Sequence, residues 1–268
     1  DEEKEGVGPS EHCSGTEKEG WRSVVHNVGA AIRAPFNGKC RYLTTQTRLD
    51  CEVWMSVISR FLQNWGPEQI ECFKGGLRYL RGTTSFGICY RRNISADKKA
   101  QLLNAMIAWP DASHAGDLLE RKSRAGWIIT MCSAPIDWRC FLQNFVSISS
   151  TEAELGSAVD CVCQILSFRL MFESVGFKQV NPTIVREDNT AAIAISRCAT
   201  LQSKVKHMQI RQSFLRDYQD KKEIKLLWVN TVDQLGDLLT KALPPAQFKA
   251  LRDQVLTNVE DLTSTMQH

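Results

Sequence analysis

The stretch from Val146 to Val175 constrains this chain more than any other. It opens V-S-I-S-S-T-E-A-E-L-G-S-A-V-D and continues as a helical pattern. Leu155, Ala158, Val159, Val162, Leu166 and Leu170 recur at spacings of 3, 1, 3, 4 and 4, so they form one stripe of a long helix facing a core. Glu154 lies one turn before Ala158. Its carboxylate therefore falls on or beside the buried stripe, where an ionised group is costly unless something positive pairs with it. A plainer role is open as well. Thr151-x-x-Glu154 and Ser149-x-x-Glu152 both fit a capping box, in which hydroxyl and carboxylate satisfy free N–H groups of the first turn. Within this stretch both roles stand.

With 268 residues, 43% hydrophobic and 24% charged, the chain can bury one large or two modest cores. No run approaches the roughly 18 apolar residues of a membrane span, and the acidic start D-E-E-K-E-G lacks a signal pattern. A cytoplasmic or nuclear protein without a membrane partner is expected. The 10 cysteines include no C-x-x-C, and Cys72, Cys89 and Cys161 sit among apolar neighbours like small buried hydrophobes. Neither a zinc site nor a disulfide framework is expected. The net charge of +3 is small, so contacts to nucleic acid must come from local patches.

Along the chain, an acidic start rich in Gly, Pro and Ser reads as a disordered tail. Asp50 is placed to cap a helix through E-V-W-M-S-V-I-S-R-F-L-Q, and Pro67 to open a second helix ending near Arg81, with S-F-G-I-C-Y as a strand. The polar stretch 91–100 has the composition of a linker. Beyond it, L-L-N-A-M-I-A-W-P-D, R-A-G-W-I-I-T-M and P-I-D-W-R-C-F-L-Q read as strands of an antiparallel meander. After the long helix come a strand P-T-I-V-R-E-D-N, a short helix T-A-A-I-A-I-S and a helix from about Ser203 to Tyr218. A strand I-K-L-L-W-V-N and a closing helix from about Val232 complete the pattern. Three strands, a helix, and then strand–helix alternation argue an α/β domain with a mixed sheet.

In that arrangement Asp111, Glu154, Asp188 and Asp237 stand at ends of elements, and the parallel part of the sheet brings Asp111 and Asp188 together at its carboxyl edge. Hard divalent cations prefer oxygen ligands. A carboxylate cluster is what holds two such ions roughly 3.5–4 Å apart for in-line attack on a phosphodiester. Taken singly, each acid is equally a turn former or a cap, and Asp188 before N-T-A-A-I fits a helix N-cap.

Five ordered motifs carry a resemblance. W-P-D-A-S-H-A-G-D-L-L-E-R-K-S-R-A-G, S-I-S-S-T-E-A-E-L, E-D-N-T-A-A-I-A-I, K-V-K-H-M-Q-I-R-Q-S-F-L-R-D and V-D-Q-L-G-D-L-L-T-K-A-L-P resemble the ribonuclease H domain of copia-type LTR retrotransposon Pol polyproteins. The upstream G-K-C-R-Y-L-T-T-Q-T-R-L-D and L-R-Y-L-R-G-T-T resemble the connection segment that precedes it. The resemblance implies a ribonuclease H-like mixed five-stranded sheet flanked by helices, preceded by a small helical segment. It implies a tail at 1–37, a connection segment at 38–100, a ribonuclease H-like domain at 101–258 and a tail at 259–268. It further implies cleavage of the RNA strand of RNA/DNA hybrids with two Mg²⁺ or Mn²⁺ held by the catalytic carboxylates Asp111, Glu154, Asp188 and Asp237. Glu152 is then the capping partner of Ser149, and the polymerase part of the same polyprotein is a partner. Ser113 and His114 depart from the family's usual acid and aromatic, Leu49 replaces a usual Pro, and the loop 230–236 lacks the His of bacterial and retroviral relatives. No Asp-Asp pair occurs, so no polymerase activity is expected.

Lys204, His207 and Arg211 share a helix face by steps of 3 and 4, a candidate ridge for tracking phosphates, with Lys122 as a second contact. A solvated helix face explains the same spacing. The alternative to an enzyme is a silent or domesticated relative that keeps the fold for binding or assembly.

Overall fold

The computed structural model describes residues 30–62, 65–90, 105–117, 121–198, 200 and 206–261. The expected N-terminal tail up to residue 29, the linker 91–100, Lys204 and the end of the C-terminal tail lie outside them. In chain order the helices and strands are α1 Ala30–Gln46, α2 Glu52–Ser59, α3 Pro67–Gly82, β1 Phe86–Gly87, β2 Ile107–Ser113, β3 Arg124–Met131, β4 Ala134–Leu142 and α4 Ser150–Ser174. They continue as β5 Thr183–Glu187, α5 Thr190–Arg197, α6 Lys206–Asp220, β6 Ile224–Trp228, α7 Pro245–Val255 and β7 Thr257–Asn258. The described residues divide into two compact units: those up to Ile88 with those from Ala242, and Cys89–Lys241. Residues 242–258, expected with the sheet, thus group with the helical segment instead.

The first unit packs α1, α2 and α3 around Trp54, Met55, Ile58, Trp65 and Phe73. Pro67 opens α3, as expected, and Gln69 Oε1 accepts from the Gly66 N–H at 2.9 Å. A side chain at Gly76 would meet the Trp54 ring at 2.0 Å, so glycine is what lets α2 and α3 approach there. Asp50 does not cap α2. It lies in a 3-10 turn, Leu49–Cys51, where Arg48 Nε and Nη2 donate to its carboxylate at 3.0 and 2.7 Å and the Tyr79 hydroxyl donates at 2.7 Å. A buried carboxylate with a bidentate guanidinium partner is better compensated than one facing only N–H groups. The expected strand to Tyr90 shrinks to β1, paired antiparallel with β7. Cys72 is disulfide-bonded, contrary to its reading as a free buried hydrophobe, whereas the other eight described cysteines are free.

The second unit is the expected mixed five-stranded sheet, in the order β4-β3-β2-β5-β6. β2 runs antiparallel to β3 and parallel to β5, and β5 parallel to β6. Helix α4 covers β2 and β3, with Leu155, Ala158, Cys161, Val162 and Ile165 packed on Ala108, Trp127, Ile129 and Val185. Its length and apolar composition match those of a membrane-crossing helix, which the sequence reading did not single out; in the fold this stripe is part of the core. Leu170, counted on the stripe, is 69% exposed.

Candidate metal centre

Asp111 occupies the fifth position of β2 and is fully buried. Glu154 stands on the second turn of α4, also buried, and Asp188 follows the last residue of β5. One carboxylate oxygen from each of the three lies within 4.8 Å of the others. Local capping does not compete for them. Ser149 is the N-cap of α4 and accepts from the Glu152 N–H at 3.1 Å, which leaves Glu154 out of the box. Asn189, not Asp188, caps α5, accepting from the Ala192 N–H at 3.1 Å.

Asp237 reaches the site by another route. The closing helix expected from Val232 does not form there; two 3-10 turns, Thr231–Asp233 and Leu235–Leu239, carry the chain across the sheet edge, and the helix begins only at Pro245. Gln234, completely buried, donates to the carbonyl oxygens of Pro110 at 3.1 Å and Arg186 at 3.2 Å, clamping this segment over β2 and β5. A Cβ on Gly236 would lie 2.7 Å from Asp111 Cβ and 2.9 Å from the Trp109 oxygen, so only glycine allows this close approach. The turn then delivers Thr240, whose hydroxyl donates to Asp111 Oδ2. It also delivers Lys241, whose Nζ donates to Asp111 Oδ1 at 3.1 Å and Asp237 Oδ1 at 2.6 Å. Asp237 is thus linked to Asp111 through an ammonium group rather than placed within the close trio.

Burial raises the carboxyl pKa of Asp111, opposed by Lys241 and the Thr240 hydrogen bond. Burial followed by the charges of Asp111, Glu187 and Asp188 holds Glu154 well above the usual carboxylate range. Asp237 is pushed up to about 7 by burial and Asp111, against the pull of Lys241. A further acid, missed in the sequence reading, adds to this field. Glu187 is fully buried, accepts from the Asn189 N–H at 3.1 Å, and carries one oxygen, Oε2, without a hydrogen-bond partner among the described residues. Glu154 Oε2 is in the same position. The alternation of buried Thr183, Val185 and Glu187 along β5 is the signal that could have pointed to Glu187.

The basic residues divide differently from expectation. His207 Nε2 is 2.7 Å from Glu152 Oε1 and Arg211 Nη1 is 3.8 Å from the same oxygen. Arg211 also covers the Phe145 ring at 3.8 Å. Glu152 Oε2 accepts from the Ile148 N–H at 2.9 Å, and burial does not prevent this amide, His207 and Arg211 from holding its carboxyl below the usual range. His207, its side chain 55% exposed, and Arg211, 18% exposed, thus both meet Glu152 between α6 and the start of α4. Lys122 lies in the turn leading into β3, its carbonyl accepting from the Asp117 N–H at 3.1 Å.

Over 236 residues, 87% of this chain, the sequence is 30% identical to the retrovirus-related Pol polyprotein from transposon TNT 1-94 of Nicotiana tabacum. The polyprotein from transposon RE1 of Arabidopsis thaliana is 29% identical over 218 residues, 81% of the chain. Over most of its length, then, the chain is similar to retrovirus-related Pol polyproteins from plant transposons, at about 30% identity. The chain spans 17% of the length of the first relative and 14% of the second. It is also 31% identical over 117 residues, 44% of its length, to 77% of the secreted RxLR effector protein 161 of Plasmopara viticola. No protein-family model matches the chain. Among solved structures, LC11-RNase H1 in complex with RNA/DNA hybrid aligns with 50% of this chain and 93% of its own, at 9% identity and TM-score 0.39. The foamy viral protease-reverse transcriptase in complex with double-stranded DNA aligns with 83% and 34%, at 10% identity and TM-score 0.40. The second unit itself shows the expected mixed five-stranded sheet, in the order β4-β3-β2-β5-β6, with helices on it.

Proposed function

We propose that this Pol segment is an endonuclease that hydrolyses the RNA strand of RNA/DNA hybrids with Mg²⁺ or Mn²⁺, and that the polymerase part of the same polyprotein is its partner. The observation that carries the reading is the approach of Asp111, Glu154 and Asp188 to within 4.8 Å, with a buried Glu154 oxygen that has no hydrogen-bond partner among the described residues. Buried carboxylates repel one another and leave lone pairs unsatisfied, which is the donor set that a hard, oxygen-seeking divalent cation fits. Asp111, Glu154 and Asp188 would hold one ion, and Asp111 with Asp237 would border the position of a second. A bound ion there supplies an activated water and neutralises charge on the phosphodiester.

The protein's own part is positioning. The Thr240 hydroxyl orients Asp111, Gln234 holds the turn of Asp237 against the strands, and the Ser149 cap keeps the first turn of α4 in place beneath Glu154. A hybrid carrying an end-labelled RNA strand tests the reading. RNA cleavage in Mg²⁺ or Mn²⁺, none in EDTA, and none with Asp111→Asn is expected. Intact RNA with folded protein in both metals would overturn it. Binding of hybrid without cleavage would then favour a silent, domesticated relative, a reading supported by the match to most of an effector protein outside the polyproteins.

A further inference from the structure

We propose that Lys241 is a built-in counter-cation: in the metal-free protein its ammonium group takes the position between Asp111 and Asp237, and a divalent ion can enter that position only by displacing it. The inference rests on the metal reading above and deepens it. It starts from an asymmetry between two halves of the acidic cluster. The Asp111 and Asp237 side chains, 0% and 2% exposed, share one ammonium at 3.1 and 2.6 Å. On the Glu154 side a buried carboxylate oxygen has no hydrogen-bond partner among the described residues.

The bridge is not an accident of a mobile side chain. Asp237 lies within, and Lys241 just after, a turn that Gln234 clamps to two strands and that Gly236 alone allows to lie against Asp111. Yet the Lys241 side chain is 32% exposed, so its end has a way out to solvent. Lysine suits such a role, being a compact point charge on a flexible stem. An ammonium and a divalent ion cannot share the same two carboxylates, because like charges at contact distance repel strongly in a partly buried setting. The two positions must therefore fill in order. The Asp111–Glu154–Asp188 position takes an ion first, and the Asp111–Asp237 position takes one only as Lys241 withdraws.

Calorimetric titration of the full chain with Mn²⁺, without nucleic acid, tests this. The wild type should show two separate binding events, the first at least roughly tenfold tighter. Lys241→Met should tighten the second by about tenfold or more. In EDTA the same variant should melt lower than wild type, since Asp111 and Asp237 lose their cation, and adding Asp237→Asn should recover the melt. Equal second-event affinities in Lys241→Met and wild type would overturn the inference while leaving the metal centre in place. Should Lys241→Met not fold, the wild-type titration decides alone: two ions bound in a single event of equal affinity also overturn it. A wild type that takes up no Mn²⁺ overturns the metal reading and this inference together.

Discussion

Ser157 and Asp111 are joined across the boundary between helix and sheet: the Ser157 hydroxyl lies 2.9 Å from the Asp111 carbonyl oxygen and 3.1 Å from that of Gly126. Glu154 sits one turn earlier on the same helix, so this contact sets the separation of two of the candidate ligands. Ser157→Ala should cost roughly 1 kcal/mol in urea unfolding and weaken Mn²⁺ binding as well. A loss of stability with Mn²⁺ affinity unchanged would make the contact purely structural.

Gly236→Ala should be damaging out of proportion to its size. The added carbon meets Asp111 Cβ at 2.7 Å and backbone at 2.9 Å, neither of which can swing aside. Displacing the turn costs roughly 1–3 kcal/mol, in the range of an overpacked core, and carries Asp237 away from Asp111. Gly38→Ala is the control. It sits inside α1 with nothing within 4 Å, and gains up to about 1 kcal/mol of helix propensity. Melts of the two variants, with hybrid cleavage alongside, check both.

Glu152 and Glu154 are two residues apart and should fail differently. Glu154→Gln removes a candidate ligand and relieves repulsion, so cleavage should vanish with the fold intact or more stable. Glu152→Ala should retain the metal trio but lose about 1–3 kcal/mol, because the Ile148 amide, His207 and Arg211 all lean on that carboxylate. This is more than capping alone would cost. Equal losses of activity at equal stability would show that the roles of the two acids are not separate.

Arg211→Ala should act on stability and leave the salt dependence of hybrid binding unchanged, since its charge already faces Glu152 and its plane covers Phe145. Lys122→Ala should lower the slope of log affinity against log salt by about 0.9. A reduced slope for Arg211→Ala would restore it to the phosphate-tracking face.

What the sequence discloses here follows the range of the interactions involved. β3 is legible to the residue and α4 within a few residues because period and caps are local signals: eight residues of R-A-G-W-I-I-T-M between turns, and Ser149 ahead of a long stripe. Asp111, Glu154 and Asp188 are legible because each is placed by a local pattern, within β2, on the second turn of α4 and directly after β5. The turn around Asp237 is not, since its conformation comes from Gln234 reaching the carbonyl of Pro110, 124 residues earlier, and from a close approach at Gly236 that no periodicity encodes. Asp50 looks like a cap locally and is instead consumed by Arg48 and by Tyr79, 29 residues away. Glu187 hides beside the motif acid Asp188, and the grouping of α7 with the first unit rests on contacts between distant parts of the chain.

Whether Asp111, Glu154 and Asp188 share an ion is tested most directly by crystals grown with Mn²⁺ and an anomalous difference map. A peak in contact with carboxylate oxygens of all three residues, lost in Asp111→Asn, is the expected result. A map at millimolar Mn²⁺ with no peak among these carboxylates, in crystals whose protein is otherwise folded as described, would contradict it.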